Sequence, residues 1–148
     1  MDKGIQDASP ARLYATLAGG LLVIVGIVGF FYSSSFGSPG TTGEVFGLFE
    51  VNGWYNVAHI ATGAAGLLVA GYAPRQYALS MGTIYATIAI WGLIVGSGES
   101  ILGFLPVNDG NNFLNLALGA LGICAALATP RLGTTKPPAH RQRAARPT

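Results

Sequence analysis

Long stretches without a charged side chain constrain this sequence more than any other feature. Only 9% of the 148 residues are charged, against about 25% in soluble domains. Each stretch has room for the roughly 20 apolar residues that cross the hydrocarbon core of a bilayer. An ordinary soluble domain is therefore excluded. The charge-free stretches lie between Arg12 and Glu44, between Glu50 and Arg75, between Arg75 and Glu99, and between Asp109 and Arg131.

The apolar segments within these stretches predict four membrane spans, at residues 13–32, 54–72, 77–95 and 113–129. Each span must be helical, because hydrocarbon offers no partner to backbone N–H and C=O groups and four segments cannot close a barrel. The first apolar run is longer than the h-region of a signal peptide, so we expect this segment to be retained rather than cleaved. The predicted fold is all-α: a polytopic membrane four-helix bundle.

The placement of the basic residues predicts the orientation. All eight Lys and Arg residues lie in the two tails or in the second loop, whereas the charged residues of the first and third loops are all acidic. The positive-inside rule then places both termini in the cytoplasm and the acidic loops outside. The acidic loop residues are expected to be solvated, with an external cation site as the alternative; they are Glu44, Glu50, Glu99 and Asp109.

An internal repeat divides the chain. Residues 47–70 match residues 103–126 at a shift of 56, with identities that include Asn52 with Asn108 and Gly63 with Gly119. A second match relates the first and third spans at a shift of 63, where Tyr14 falls on Tyr77. Each unit is a helix, an external loop and a helix, so the two copies have the same orientation and are parallel helix-hairpin repeats.

The repeat sets the predicted domain boundaries. Residues 1–12 form a cytoplasmic tail, 13–72 the first helix-hairpin repeat and 73–130 the second. The final segment, 131–148, is rich in proline and basic residues and is predicted to be disordered. It also has enough positive charge to touch anionic lipid headgroups.

Small and polar residues at helical spacing mark one face of the second and fourth spans. The glycines are expected to let helices approach closely, since association in lipid depends on packing and interhelical hydrogen bonds. A groove for dimerisation or for a prosthetic group is the alternative use of that face. The packing glycines are Gly63, Gly66, Gly119 and Gly122, and the candidate polar motif is Asn56, His59, Asn112 and Asn115.

His59 is the ionisable side chain that lies well inside a predicted span, which makes it a functional candidate. Its repeat partner is Asn115, which neither titrates near neutral pH nor suits a metal. We expect a neutral, hydrogen-bonded structural imidazole, with proton handling or haem and metal ligation as alternatives. The asparagines Asn52, Asn108 and Asn111 are expected to cap helices, because Asn favours that position.

The sequence contains no pattern of catalytic residues. Cys124 is a lone cysteine inside the fourth predicted span, which excludes an internal disulfide and a C-x-x-C redox centre. The acidic residues all lie in loops or tails, so no Ser/His/Asp set can be assembled. Gly96-Ser97-Gly98 precedes no GK[ST] sequence and is interpreted as a flexible loop. No catalytic residue, metal site or cofactor is predicted.

The motif Val51-Asn52, Asn56-x-x-His59-x-x-x-Gly63-x-x-Gly66 resembles that of the bacterial four-helix membrane proteins grouped as the DUF4383 family. The stretch 103–108, Gly-Phe-Leu-Pro-Val-Asn, is also similar, and the resemblance covers roughly residues 11–129. It implies the four-helix fold and no activity. Family members often carry a second His at the position of Asn115, so this chain departs from any mechanism that needs paired histidines.

These observations predict a non-enzymatic protein of the bacterial inner membrane. Its role is expected to be structural or accessory, in a larger membrane complex or as a homo-oligomer, and its partners include the lipid bilayer but no nucleic acid. The alternative, from a different class, is a small-solute or proton-handling protein that uses His59 and the repeat asparagines.

Overall fold

The computed structural model describes residues 9–37 and 42–131, and this part of the chain is mostly helical, as predicted. Each loop at one end of the helices also contains a short antiparallel β-hairpin, which the all-α prediction did not include. We call this end of the helices the hairpin end. In chain order the elements are α1 (Pro10–Tyr32), β1 (Gly43–Val45), β2 (Phe49–Val51), α2 (Gly53–Val69), α3 (Pro74–Val95), β3 (Ser100–Ile101), β4 (Leu105–Pro106) and α4 (Asp109–Ala128).

Three helices of the described segments, α1, α3 and α4, are long and apolar enough to cross a membrane. This gives the chain membrane-protein character. The helix α2 has 17 residues and is shorter than the predicted second span. The predicted disordered basic tail lies outside the described residues apart from Arg131, as does most of the predicted N-terminal tail.

The helices begin earlier than the apolar runs suggest. At α1, the Ser9 hydroxyl accepts a hydrogen bond from the Arg12 N–H, and Pro10 follows in the first turn, where its missing N–H costs nothing. The first helix therefore starts inside the segment 1–12 that was predicted as a tail. Hydropathy marks where residues become apolar, whereas the first turn of α1 is fixed by a cap that is itself polar.

Both hairpins turn through left-handed residues. In the first, Phe46 and Gly47 have φ of 55° and 67°, and the Leu48 N–H donates to the Val45 carbonyl over 3.1 Å. In the second, 56 residues later, Leu102 and Gly103 have φ of 55° and 77°. Two successive positive φ values are the signature of the type I′ turn that suits the twist of paired strands.

Close backbone approach joins α1 to α2 and α3 to α4. A Cβ atom built on Gly63 would lie 2.6 Å from the Gly19 carbonyl oxygen, and one built on Gly119 would lie 2.6 Å from the Ala86 nitrogen. No side chain fits at these positions without moving the backbone of the neighbouring helix.

Gly66 and Gly122 are also tightly packed. A Cβ on Gly66 would lie 2.6 Å from the Tyr77 hydroxyl oxygen, and a Cβ on Gly122 would lie 2.8 Å from the Ala78 carbonyl oxygen. All four glycines predicted to pack thus lie against another helix.

Two tyrosines connect the helix pairs across the centre. The Tyr14 hydroxyl of α1 donates to the Leu118 carbonyl of α4, and the Tyr77 hydroxyl of α3 donates to the Thr62 carbonyl of α2, each over 2.9 Å. The two rings lie 6.2 Å apart. Tyr14 and Tyr77 are separated by 63 positions and Thr62 and Leu118 by 56, which are the two shifts that relate the halves of the sequence.

Replacing Gly63 by Leu should lower the thermal stability of the purified protein in detergent. Overpacking typically costs about 1–3 kcal/mol, and here the added side chain meets the backbone of α1. The matched control is Gly20→Leu, because a Cβ on Gly20 has no atom within 4 Å. Equal melting temperatures for the two variants would mean that the approach of α1 and α2 is not tight at Gly63.

Candidate functional site

The polar residues singled out in the sequence lie at or near the hairpin end of the helices. Asn52 and Asn108 are the N-caps of α2 and α4, as predicted. The Asn52 side-chain oxygen accepts from the Tyr55 N–H and that of Asn108 from the Asn111 N–H, both over 2.8 Å. Asn111 therefore lies inside the first turn of α4, and its predicted role as a cap is wrong.

The same two caps also tie the hairpins to each other. The Asn52 amide donates to the Phe104 carbonyl in the second hairpin over 2.6 Å, and the Asn108 amide donates to the Leu48 carbonyl in the first over 2.9 Å. Leu48 and Phe104 are 56 positions apart, as are Asn52 and Asn108. Each half of the chain thus caps its own helix and binds the turn of the other half.

Asn56 and Asn112 lie in the first turns of α2 and α4 and contact the preceding helix. Their side-chain oxygens lie so close to Gly29 and Gly92 that a Cβ on either glycine would overlap them. The Asn56 amide also donates to the carbonyl of Ser33, just beyond α1, over 2.8 Å. These two asparagines join the helices within each pair.

His59 and Asn115 meet at a third residue, Tyr55. The His59 side chain is 3% exposed, and its ring stands edge-on to that of Tyr55, with centroids 4.4 Å apart. The amide oxygen and nitrogen of Asn115 lie 3.3 Å and 3.1 Å from the Tyr55 hydroxyl oxygen. The structure therefore gathers two of the four predicted motif residues into one cluster with a tyrosine.

The imidazole of His59 is not fully satisfied. Its Nδ1 atom has no hydrogen-bond partner among the described residues, and the same is true of the side-chain oxygens of Asn56 and Asn111. Within the described residues, no hydrogen bond at Nδ1 supports the expected hydrogen-bonded imidazole. A ring nitrogen in this setting can donate or accept one hydrogen bond with a group from outside the chain.

Tyr55 and Asn111 belong to the site, although neither residue was predicted from the sequence to be part of it. The signal was present in the repeat, because Tyr55 falls on Asn111 at the shift of 56. Two matching positions that are both polar near the ends of apolar spans indicate a shared place in the fold.

The acidic residues of the hairpin end lie in or beside the two hairpins. Glu44 and Glu50 are directly opposite each other in the first hairpin, and burial together with the Glu44 carboxylate raises the pKa of Glu50 above its ordinary value. Asp109 accepts a hydrogen bond from the Ser97 hydroxyl over 2.7 Å. Residues 9–37 and 42–131 hold no group of three or more His, Cys, Asp or Glu side chains that would suit a metal ion.

The segment that was interpreted as a flexible loop pairs with the strand region after β4. The Gly98 N–H donates to the Val107 carbonyl over 2.9 Å, and the Val107 N–H donates to the Glu99 carbonyl over 3.0 Å. Gly96 and Gly98 have φ of 92° and 88°, a conformation that favours glycine. They shape the connection from α3 into the second hairpin.

Comparison with known proteins gives a family. The family described as a domain of unknown function, DUF4383, matches residues 12–128. The chain belongs to the DUF4383 family. This confirms the resemblance that the asparagine, histidine and glycine motif indicated.

One curated relative is the MFS-type efflux pump elcC of Phaeosphaeria nodorum, which is 32% identical over 91 residues, or 62% of this chain. The matched region spans only 16% of that pump's length. No solved structure matches the chain.

The two functions of Asn52 can be separated by mutation. Asn52→Ser keeps a capping oxygen but loses the bond to Phe104, so stability should fall by about 1 kcal/mol, the net value of a typical hydrogen bond. Asn52→Ala should lose about 1 kcal/mol more, because the cap is also removed. Thermal melts in detergent measure both steps, and the same pair of changes at Asn108 is the matched comparison. A serine variant as stable as wild type would mean that the bond between the hairpins contributes nothing.

Proposed function

We propose that this chain is a non-enzymatic membrane protein that acts as a structural or accessory subunit, packing against other membrane proteins or against a second copy of itself. The observation that carries the proposal is the set of hydrogen bonds that polar groups form between the two helix pairs. The Tyr14 and Tyr77 hydroxyls bond to carbonyls across the centre, and Asn52 and Asn108 link the two turns above it. Such an arrangement favours a fixed packing unit over a path for solutes.

The proposed topology has four spans, both termini in the cytoplasm, and two parallel helix-hairpin repeats in a bacterial inner membrane. Support for the repeat comes from bonds that recur at shifts of 56 and 63 residues. At a rise of 1.5 Å per residue, the 17 residues of α2 form a helix about 25 Å long. This length is a few ångströms less than the thickness of the hydrocarbon core. Local thinning of the bilayer accommodates a short span at modest cost.

The orientation can be tested with single cysteines in a Cys124→Ala background. Ser34 follows α1 at the hairpin end, whereas Gly71 lies in the turn between α2 and α3, and both are exposed. An impermeant maleimide added to intact cells should label Ser34→Cys and should label Gly71→Cys only after permeabilisation, because the basic second loop is retained inside. Labelling of Gly71→Cys alone in intact cells would reverse the topology.

A second candidate function is the handling of a small solute or of protons. It is favoured by the buried His59 Nδ1 atom, which has no hydrogen-bond partner among residues 9–37 and 42–131, and by the partial similarity to an efflux pump. Placing an ionisable side chain inside a membrane costs free energy, and such residues are commonly functional. In this alternative, the cluster of Tyr55, His59 and Asn115 would bind the solute or relay the proton.

Photo-crosslinking in cells tests the accessory role. A benzophenone side chain is placed at Leu68 of α2, Ile94 of α3 or Leu127 of α4, each more than two-thirds exposed. At native expression, at least one of these positions should give a discrete protein adduct, either with another membrane protein or with a second copy of the chain. Lipid adducts alone at all three positions would contradict the proposal.

Variants of His59 separate the two functional classes. In the accessory role, His59→Asn should preserve folding and crosslinking better than His59→Ala, because Asn occupies the matching position 115. The His59 Nδ1 makes no hydrogen bond within the described residues, so the advantage of Asn over Ala should be no more than about 0.6 kcal/mol, the average value of an interhelical hydrogen bond in membrane helices. In the alternative role, both variants should abolish a flux of protons or solute into proteoliposomes, since Asn does not titrate near neutral pH. A flux that wild type supports and well-folded His59→Asn lacks would favour the alternative.

A further inference from the structure

The turns of the two β-hairpins carry large apolar side chains where turns usually carry Asn, Asp or Gly. Phe46 is 76% exposed and Leu102 is 65% exposed. Both residues have φ of 55°, a left-handed conformation that is unfavourable for bulky side chains. The same feature occurs at both turns, 56 positions apart. The backbone conformation does not favour these side chains, so any benefit they give must come from their surroundings.

The first hairpin packs against the end of α1. Val45 and Phe46 line one groove together with Val25 and Val28, which lie two turns and one turn before the end of that helix. The Phe46 ring also lies 6.2 Å from the ring of Tyr32, the last residue of α1. Because α1 is long and apolar enough to cross a membrane, the first turn lies beside the end of a candidate membrane span.

The second hairpin has the corresponding position in the other half of the chain. Leu105 lines a small cavity together with Ile84 and Ile88 of α3. The Phe104 ring lies 6.0 Å from the ring of Trp54, which is in the first turn of α2. Trp and Tyr are enriched at the membrane–water interface. Each turn therefore lies beside an aromatic residue of the kind that marks this interface.

The backbone of both turns is hydrogen-bonded within the protein. The Leu48 N–H donates within its own turn, and the Leu48 carbonyl accepts from the Asn108 amide over 2.9 Å. The Phe104 N–H likewise donates within the second turn, and the Phe104 carbonyl accepts from the Asn52 amide over 2.6 Å. A turn in water can bond to solvent, whereas an unpaired backbone group is costly near the acyl chains. The two asparagines thus satisfy carbonyls that contact with lipid would otherwise leave unpaired.

The charged side chains of the first hairpin lie on its strands and not in its turn. Glu44 and Glu50 are directly opposite each other, and the next residue in each strand, Val45 or Val51, is buried. Successive side chains of a strand point to opposite faces of the sheet. The hairpin is therefore amphipathic, with an acidic face that suits water and an apolar turn.

We propose that the side chains of Phe46 and Leu102 insert into the boundary between the lipid headgroups and the acyl chains at the hairpin end. The partner is the phospholipid bilayer, which the two turns enter at separate points, one beside α1 and one beside α2. The turn backbone stays at the interface, the apolar side chains reach the acyl chains, and the acidic strand residues stay in water. This contact does not depend on the accessory role proposed above.

Spin labels on the full chain in phospholipid nanodiscs test the insertion, in a Cys124→Ala background. Labels are placed at the turns, as Phe46→Cys and Leu102→Cys, and at the exposed controls Glu44→Cys and Glu99→Cys. Oxygen partitions into the acyl layer, whereas a nickel chelate stays in water. The ratio of oxygen accessibility to chelate accessibility should be severalfold higher at the turns than at the controls.

Two outcomes of this measurement would overturn the proposal. A ratio at the turns no higher than at the controls would place the turns in water. Protection of the turns from both reagents would mean that protein covers them instead of lipid.

Tryptophan fluorescence gives a second measurement without the spin label. The two tryptophans of the chain, Trp54 and Trp91, are replaced by Phe, which keeps a ring at each position. Lipids brominated on their acyl chains should then quench Phe46→Trp severalfold more strongly than Glu44→Trp, and iodide in solution should quench the two variants in the reverse order. Equal quenching of the two folded variants by the brominated lipids would contradict insertion of the first turn.

Discussion

The close approach of two helix backbones at glycine is the interaction on which the rest of this structure depends. Lipid tails are as apolar as leucine, so helices in a bilayer gain little by burying apolar side chains against one another. Gly19 against Gly63, and Gly82 against Gly119, bring the backbones into contact within each pair. Only at this separation do the short side chains of Asn56 and Asn112 reach Gly29 and Gly92, so the polar contacts depend on the glycines.

Much of the fold follows from the sequence because a membrane imposes simple rules. The absence of charge between Arg12 and Glu44 predicted the first helix, and the spacing of Gly63 and Gly66 predicted the face that packs. The two β-hairpins were not predicted, because their strands have only two or three residues and their left-handed turns begin at Phe46 and Leu102. Asn or Asp is the usual signal at that position, and neither is present.

The candidate site was only partly predictable. His59 stands out as an ionisable residue in an apolar segment, and the repeat relates it to Asn115. The sequence does not reveal that Tyr55 lies between them, since this contact joins α2 to α4 and depends on how the helix pairs cross. Nor does it reveal that Asn111 and His59 each have an atom without a hydrogen-bond partner in the described part of the chain, which is a property of side-chain placement rather than of residue type.

The reciprocal bonds of Tyr14 and Tyr77 have a consequence for how such a chain arises. Each hydroxyl binds a carbonyl in the opposite half, so a single helix hairpin would need a second copy to make the same bonds. If the two proposed repeats descend from one hairpin that worked as a homodimer, a contact between molecules has become an intramolecular one at high effective concentration. Identical halves were then no longer required for assembly. Position 59 was free to be histidine while position 115 was asparagine.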